Sequence, residues 1–169
     1  DGVSLSDGVS PSDGVSELSD ALRAHRLPLH VDFDSDTMWP KRAAQLNHIP
    51  AQLLLFVRPA HAASLIGQVS EAARRFRRGS VIVFSFQVTD EALASPGPML
   101  RRYGVNHVMN VPRLVVNDNR NGGDAVRVPF EGAPIDEPSV FDFLLGFGLP
   151  LAENASRVRA KARQVKDEL

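Results

Sequence analysis

Two continuous apolar runs, separated by one long amphipathic segment, dominate the pattern of hydrophobic and polar positions along this chain. The runs cover residues 52–57 and 81–86, and turn-forming residues bound both of them. Runs of this kind are typical of strands that are buried on both faces of a parallel sheet. Between them, residues 62–78 repeat apolar side chains at helical spacing until Gly79, which predicts a helical crossover. We therefore expect a parallel strand–helix–strand unit at the centre of the fold.

The flanking segments extend this unit in both directions. Capping residues and helical spacing predict further helices at residues 16–23, from Asp36 onward, at 98–103 and from Pro138 onward. Shorter alternating or apolar stretches predict strands at 27–33, 113–117 and 125–130, the last two as a hairpin. Three parallel strands followed by an antiparallel hairpin predict an α/β three-layer sandwich, with a central mixed sheet and helices on both faces.

The two ends of the chain differ from this middle part. Residues 1–16 contain three copies of Asp-Gly-Val-Ser with a period of six residues, and such a stretch has too little apolar surface to offset the entropy of ordering. The predicted organisation is therefore a flexible repeat linker at 1–16, one domain at 17–150, and a charged helix or tail at 151–169.

Composition excludes several classes of function. The 169 residues include 19 basic and 20 acidic side chains, a net charge of −1, so the charge balance predicts no nucleic-acid partner. No apolar run approaches the roughly 18 residues that span a bilayer, so we predict no membrane insertion. Because the chain has no cysteine, its residues cannot perform thiol–disulfide exchange, which requires an attacking thiolate. The five histidines show no metal-ligand spacing, and we predict neither a cofactor, nor a metal, nor enzymatic activity.

The carboxyl-terminal tail carries two short motifs. Its last four residues spell KDEL, a retrieval signal of the secretory pathway, at Lys166, Asp167, Glu168 and Leu169. They predict residence in the lumen of the endoplasmic reticulum and the KDEL receptor as a partner. Asn154 begins an Asn-Ala-Ser sequon, a possible glycosylation site.

The stretch from Tyr103 to Val116 resembles a thioredoxin-fold domain. It reads Tyr-Gly-Val and then, seven residues later, Pro-Arg-Leu-Val-Val; in that family the proline is cis, and Pro112 occupies the matching position. The family's active-site loop corresponds to residues 58–64, where His61 and Ser64 replace the two cysteines. The resemblance thus implies a degenerate active-site loop. A nucleophilic His–Ser pair is disfavoured, because no evident carboxylate would orient it.

Together with KDEL, these motifs resemble the protein disulfide isomerase family, and most of all its non-catalytic b′-type domain, over residues 17–150. The strand at 29–33, Trp-Pro-Lys at 39–41 and the apolar strand at 53–59 support this choice. In that family the b′ domain binds clients through an apolar pocket. The matching candidates in this chain are Met38, Trp39, Leu46, Leu54, Phe86, Met99 and Tyr103.

The resemblance leaves more than one function open. The first is a redox-inactive chaperone module that binds unfolded or partly folded polypeptides in the endoplasmic reticulum, alongside other folding proteins. The alternatives are a scaffold or adaptor for one specific lumenal partner, and a carboxyl-terminal fragment of a longer catalytic isomerase.

Overall fold

A mixed sheet forms the middle layer of the protein in this computed structural model, which describes residues 29–33, 46, 48–121 and 125–153. Within these ranges five strands form one sheet. The strands are β1 (His30–Phe33), β2 (Ala51–Val57), β3 (Val81–Gln87), β4 (Arg113–Asp118) and β5 (Val126–Pro129). Their order across the sheet is β1-β3-β2-β4-β5, in which the first three are parallel and the other two antiparallel to their neighbours. The predicted parallel unit followed by a hairpin is confirmed.

Helices cover both faces of this sheet. They are α1 (Ala62–Arg74), α2 (Asp90–Ala94), α3 (Pro98–Arg102) and α4 (Glu137–Leu145), with short 3-10 turns at Pro59–His61 and Val108–Asn110. The predicted repeat linker at 1–16, the helices predicted at 16–23 and from Asp36 to residue 45, and the tail from residue 154 lie outside the described residues.

Strand β2 separates two hydrophobic cores. Alternate residues such as Leu53 and Leu55 pack with α1 and α4 on one face. Leu54 and Phe56 face the opposite way, toward α3. Because side chains alternate along a strand, a strand with a core on each side must be apolar at almost every position, and all seven residues of β2 are buried. The predicted three-layer sandwich is confirmed.

Helix α1 is shorter than the predicted helix at 62–78, because tertiary contacts end it early. It stops at Arg74. Phe76 then forms a β-bridge with Leu151, and the amide of Arg77 donates to the carbonyl oxygen of Pro150 at 2.7 Å. The chain makes these tertiary contacts instead of continuing the helix, although the apolar spacing continues beyond Arg74. The amphipathic spacing therefore gave the correct face but the wrong carboxyl end.

Helix α2 was not predicted, although its capping signal is present in the sequence. The hydroxyl of Thr89 accepts a hydrogen bond from the amide of Ala92 at 3.2 Å, and Asp90 and Glu91 lie in the first turn. An N-cap hydroxyl followed by acidic residues is a typical helix start. At five residues, the helix is too short for its periodicity to be recognised.

One buried polar pair joins α3 to β4. The side-chain amide of Asn117 donates to the hydroxyl of Tyr103 at 3.0 Å, and both residues are at most 5% exposed. A buried polar group that loses its partner costs about 1–3 kcal/mol, whereas removal of both partners is close to neutral.

We predict that Tyr103→Phe lowers the free energy of unfolding by about 1–3 kcal/mol, because the Asn117 amide loses its partner. Adding Asn117→Val to that variant should restore much of the loss, since neither polar group then remains. Urea unfolding of the three proteins measures both differences. A neutral Tyr103→Phe, or a double variant no more stable than the single one, would contradict the prediction.

Arg120 connects the end of β4 with the turn after α4. Its guanidinium donates to both carboxylate oxygens of Asp118, at 2.8 and 2.6 Å, and to the carbonyl oxygen of Phe147. The side-chain hydrogen bond from Arg120 lowers the pKa of Asp118 below its ordinary value, and burial opposes this shift. A carboxylate with a lowered pKa stabilises the folded state above the unfolded-state pKa of about 3.9, and this contribution is lost as the pH falls through the lowered value.

We predict that Asp118→Asn costs up to about 1 kcal/mol of unfolding free energy at pH 7, since Arg120 is partly exposed and water weakens the pair. The cost should shrink as the pH falls through the lowered pKa of Asp118, because the carboxyl group itself then becomes neutral. Denaturant unfolding between pH 7 and 2.5 measures this dependence. Asp142→Asn is the control, because Asp142 is exposed. A cost that does not change with pH would rule out the ion pair as its source.

Candidate functional site

The predicted active-site loop and the predicted cis-proline lie at one edge of the sheet. Strands β2 and β3 end at this edge and β4 begins there, since Phe56 pairs with Arg113 in the antiparallel register. We call this the carboxyl edge, and the opposite one the amino edge. In α/β sheets the loops at the carboxyl ends of strands commonly bind ligands.

His61 and Ser64 occupy the start of α1, as the resemblance implies. His61 ends the 3-10 turn Pro59–His61 and is the N-cap residue of α1, but its side chain does not cap the helix. Both side chains are exposed, and no hydrogen bond joins them within the described part of the chain. The structure thus shows no base–nucleophile contact at this position.

The loop before β4 exposes apolar side chains next to a cis peptide bond. The bond between Val111 and Pro112 is cis, and Pro112 is exposed. In the turn just before it, Val108 is 48% exposed and Met109 is 83% exposed. We call Val108, Met109 and Pro112 the cis-proline surface. Pro112 is predicted from its sequence motif, whereas its two apolar neighbours are not, although they lie within the same motif.

Two guanidinium groups lie at the same edge. Arg58, directly after β2, forms an ion pair with Asp90 of α2 at 2.5 Å, which connects the loop at residues 58–64 with helix α2. Arg113 directly follows Pro112, and its guanidinium lies against Gly104. In each arginine one buried nitrogen, Nη1 of Arg58 and Nε of Arg113, has no hydrogen-bond partner among the described residues.

The predicted client pocket maps to the second core, on the α3 face of the sheet. Five of its seven candidates belong to one cluster there and are at most 9% exposed: Leu46, Leu54, Phe86, Met99 and Tyr103. Phe56 packs between two of these residues, with its ring centroid 5.0 Å from that of Phe86 and 5.5 Å from that of Tyr103. Met38 and Trp39 lie outside the described residues. The structure therefore brings the five together as buried side chains.

A histidine, a serine and an aspartate meet on β1 and β3, a cluster that the sequence analysis missed. The Ser85 hydroxyl donates to Asp32, and Nε2 of His30 lies 3.0 Å from the serine oxygen and 3.3 Å from the carboxylate. The cluster does not have the geometry of a catalytic triad. In a triad the two imidazole nitrogens face the serine and the acid separately, whereas here one nitrogen faces both. The serine proton points to Asp32, so His30 is not placed to remove it.

We predict that Ser85→Ala lowers the free energy of unfolding by about 1 kcal/mol, because it removes a buried hydroxyl that has two partners. Ser70→Ala is the matched control. Ser70 is also buried, but its hydroxyl has no partner within the described ranges, and alanine favours a helix, so this variant should be neutral or more stable. Thermal and urea unfolding test the pair. Equal effects of the two substitutions would contradict a structural role for the cluster.

Neither a cluster of metal ligands nor a membrane-spanning helix is present within the described ranges. There, no group of three or more His, Asp or Glu side chains is placed to hold a metal ion. None of the helices in those ranges is both long and apolar enough to span a bilayer.

Comparison with known proteins gives structural relatives only. The chain matches no family model and no curated protein. Full-length ERdj5 aligns with a TM-score of 0.52 and 17% identity, over 84% of this chain and 19% of that chain. The fold is thioredoxin-like. A second ERdj5 structure, form I, gives the same TM-score and identity over 84% of this chain and 18% of that one.

The zinc-bound form of human ERp44 aligns less well, with a TM-score of 0.48 and 14% identity over 69% of this chain and 30% of that chain. Both neighbours are thioredoxin-like proteins of the disulfide isomerase family. The thioredoxin-like domain described above therefore spans about a fifth of the length of ERdj5, and at this level of identity the likeness concerns the fold.

Proposed function

We propose that this protein is a redox-inactive, thioredoxin-like module of the disulfide isomerase type that binds unfolded or partly folded polypeptides. The observation that carries the proposal is the exposure of Val108 and Met109 beside Pro112. The absence of cysteine from the chain removes thiol chemistry from these residues, since exchange requires a thiolate.

The cis-proline surface has the chemistry of an adaptable binding site. Methionine is flexible and polarisable, and surfaces rich in such side chains repack against partners of different sequence. Burial of one large apolar side chain contributes about 1.5–3 kcal/mol. Two such side chains therefore support weak binding that depends on apolar area rather than on a fixed pattern of hydrogen bonds.

The arginines at the carboxyl edge add polar contacts to this surface. Nη1 of Arg58 and Nε of Arg113 are buried and have no partner among the described residues, so a peptide carbonyl oxygen or an acidic side chain would pair with them only after the loops around them rearrange. Buried donors are rarely left without an acceptor. The carboxyl edge thus offers exposed apolar contacts from one loop, and guanidinium donors from Arg58 and Arg113 after such a rearrangement.

The b′-type assignment and the client pocket with Met38 and Trp39 stay predictions. Leu46, Leu54, Phe86, Met99 and Tyr103 are already buried, so a client would reach them only if the α3 face opened. The cis-proline surface needs no such opening, and we propose it as the first contact of a client.

Residence in the lumen of the endoplasmic reticulum is part of the proposal. The KDEL sequence at residues 166–169 supports it, as does the fold shared with ERdj5. We propose the KDEL receptor as the partner that retrieves the protein. Glycosylation at Asn154 would be possible in that compartment.

We predict that the double variant Val108→Ser/Met109→Ser binds a panel of unrelated unfolded peptides at least about tenfold more weakly, because it removes apolar area from the contact. Fluorescence anisotropy with labelled peptides measures the affinity, and urea unfolding should show little change, since both residues are exposed. Val126→Ser is the matched control: Val126 is 49% exposed but lies on β5 at the amino edge.

Three other results would change the conclusion. Equal weakening by Val126→Ser would mean that the cis-proline surface is not the site. Loss of binding in Trp39→Ala alone would move the site to the predicted pocket. Saturable binding to one folded lumenal protein, with no binding to peptides, would favour the scaffold or adaptor function.

A further inference from the structure

A cavity of about 300 Å³ opens at the amino edge of the sheet, on the side remote from the cis-proline surface. It lies between the residue before β1, the start of β3 and the segment that joins α1 to β3. Its floor is apolar and its rim is cationic. The floor consists of Leu29, Ala73, Phe76 and Val81, and the rim of Arg74, Arg77 and Arg78.

The early end of α1 creates this arrangement. Phe76 is buried and forms a bridge with Leu151, so the chain leaves the helix before Arg77. Arg77 and Arg78 therefore lie in the loop before β3, where both are exposed. If the helix continued to residue 78, as its spacing predicts, Arg77 and Arg78 would lie on its last turn and not in the loop beside the cavity.

The charges around the cavity are unequally compensated. Arg74 forms an ion pair with Glu71. Arg75 pairs with Glu137 and lies 4.9 Å from the centre of the Phe141 ring. Within the described part of the chain, no carboxylate lies at ion-pair distance from Arg77 or Arg78. The guanidinium groups of Arg77 and Arg78 thus lie at the rim of an apolar cavity, and their N–H groups can donate hydrogen bonds to an anion.

We propose that this cavity binds a small amphipathic carboxylate, such as a medium-chain fatty acid. The carboxylate would lie between Arg77 and Arg78, because a guanidinium offers paired donors that match a carboxylate. The alkyl chain would occupy the floor. At the roughly 30 Å³ that a water-sized group takes up in a liquid, 300 Å³ accommodates about ten non-hydrogen atoms.

Both parts of such a ligand are needed to match the site. A small polar anion would leave the floor formed by Leu29, Phe76 and Val81 in contact with water. A neutral alkyl compound would fill the floor but leave both guanidinium groups without an anion. The amino edge lies about 20 Å from the carboxyl edge, from the rise along a strand of seven residues. This site is therefore separate from the proposed polypeptide site.

The first experiment titrates the full chain with sodium decanoate by isothermal calorimetry and by amide NMR. We expect saturable binding with one site per chain, and shifts centred on Leu29, Ala73 and Val81. Affinity should rise about fourfold with each methylene group from butanoate to decanoate, and then level off once the cavity is filled. Decanol, which has the chain without the charge, should bind at least about tenfold more weakly.

The second experiment uses a matched pair of variants. Arg77→Gln/Arg78→Gln should weaken decanoate binding by about tenfold or more, since charge-assisted hydrogen bonds are lost. Arg101→Gln/Arg102→Gln is the control, because these adjacent arginines are also exposed but lie at the end of α3. Both variants change surface positions, and their folding is checked by NMR.

Several outcomes would overturn the proposal. These are the absence of saturable decanoate binding, equal affinity for decanol, or equal weakening by the two double variants. Shifts centred on Val108 and Met109 instead of Leu29 would assign the ligand to the cis-proline surface. The first three outcomes do not bear on peptide binding at the carboxyl edge, so the two proposals fail separately.

Discussion

Strand β2 is hydrogen-bonded along both sides and covered on both faces, and the other elements take their places from it. It pairs with β3 in parallel through all seven of its residues and with β4 in antiparallel register through six of them. A central strand of this kind must be apolar on both faces, because a polar side chain there would need a buried partner. Gln52 is the one polar residue of β2, and its side-chain amide donates to the carbonyl oxygen of Leu46 at 2.9 Å.

The same strand separates the two ends of the molecule that we assign to binding. Its carboxyl end leads into Arg58 and the degenerate loop, beside the cis-proline surface. Its amino end lies at the edge of the sheet where the arginine-rimmed cavity opens. The strand between them is buried along its whole length, and the two sites lie at its opposite ends, so a ligand at one edge has no direct contact with the other. The packed sheet therefore provides a scaffold, and the loops at its two edges carry the binding chemistry.

The sequence predicted the elements whose pattern is set locally. The apolar runs at 52–57 and 81–86 identified β2 and β3, because a strand that is buried on both faces is apolar at almost every position. The predicted carboxyl end of α1 was wrong, because helical spacing carries no information about the contacts of Phe76 and Arg77 with residues 150–151. The cluster of His30 and Ser85 was missed for the same reason: the two residues are 55 positions apart, and only strand pairing brings them together.

The candidate sites were less predictable than the fold, and the reason is physical. A buried residue such as Leu54 belongs to a pattern that extends along a whole element, whereas Met109 is exposed in a loop and no periodicity marks it. His61 and Ser64 also lie at exposed positions. The resemblance places them where redox-active members of the family have two cysteines; both are exposed at the start of α1 and belong to neither core. Tyr103, by contrast, is buried, bonded to Asn117 and packed against Phe56. A thioredoxin-like core can therefore persist without its redox residues, because the positions that perform the chemistry and the positions that stabilise the fold are different ones.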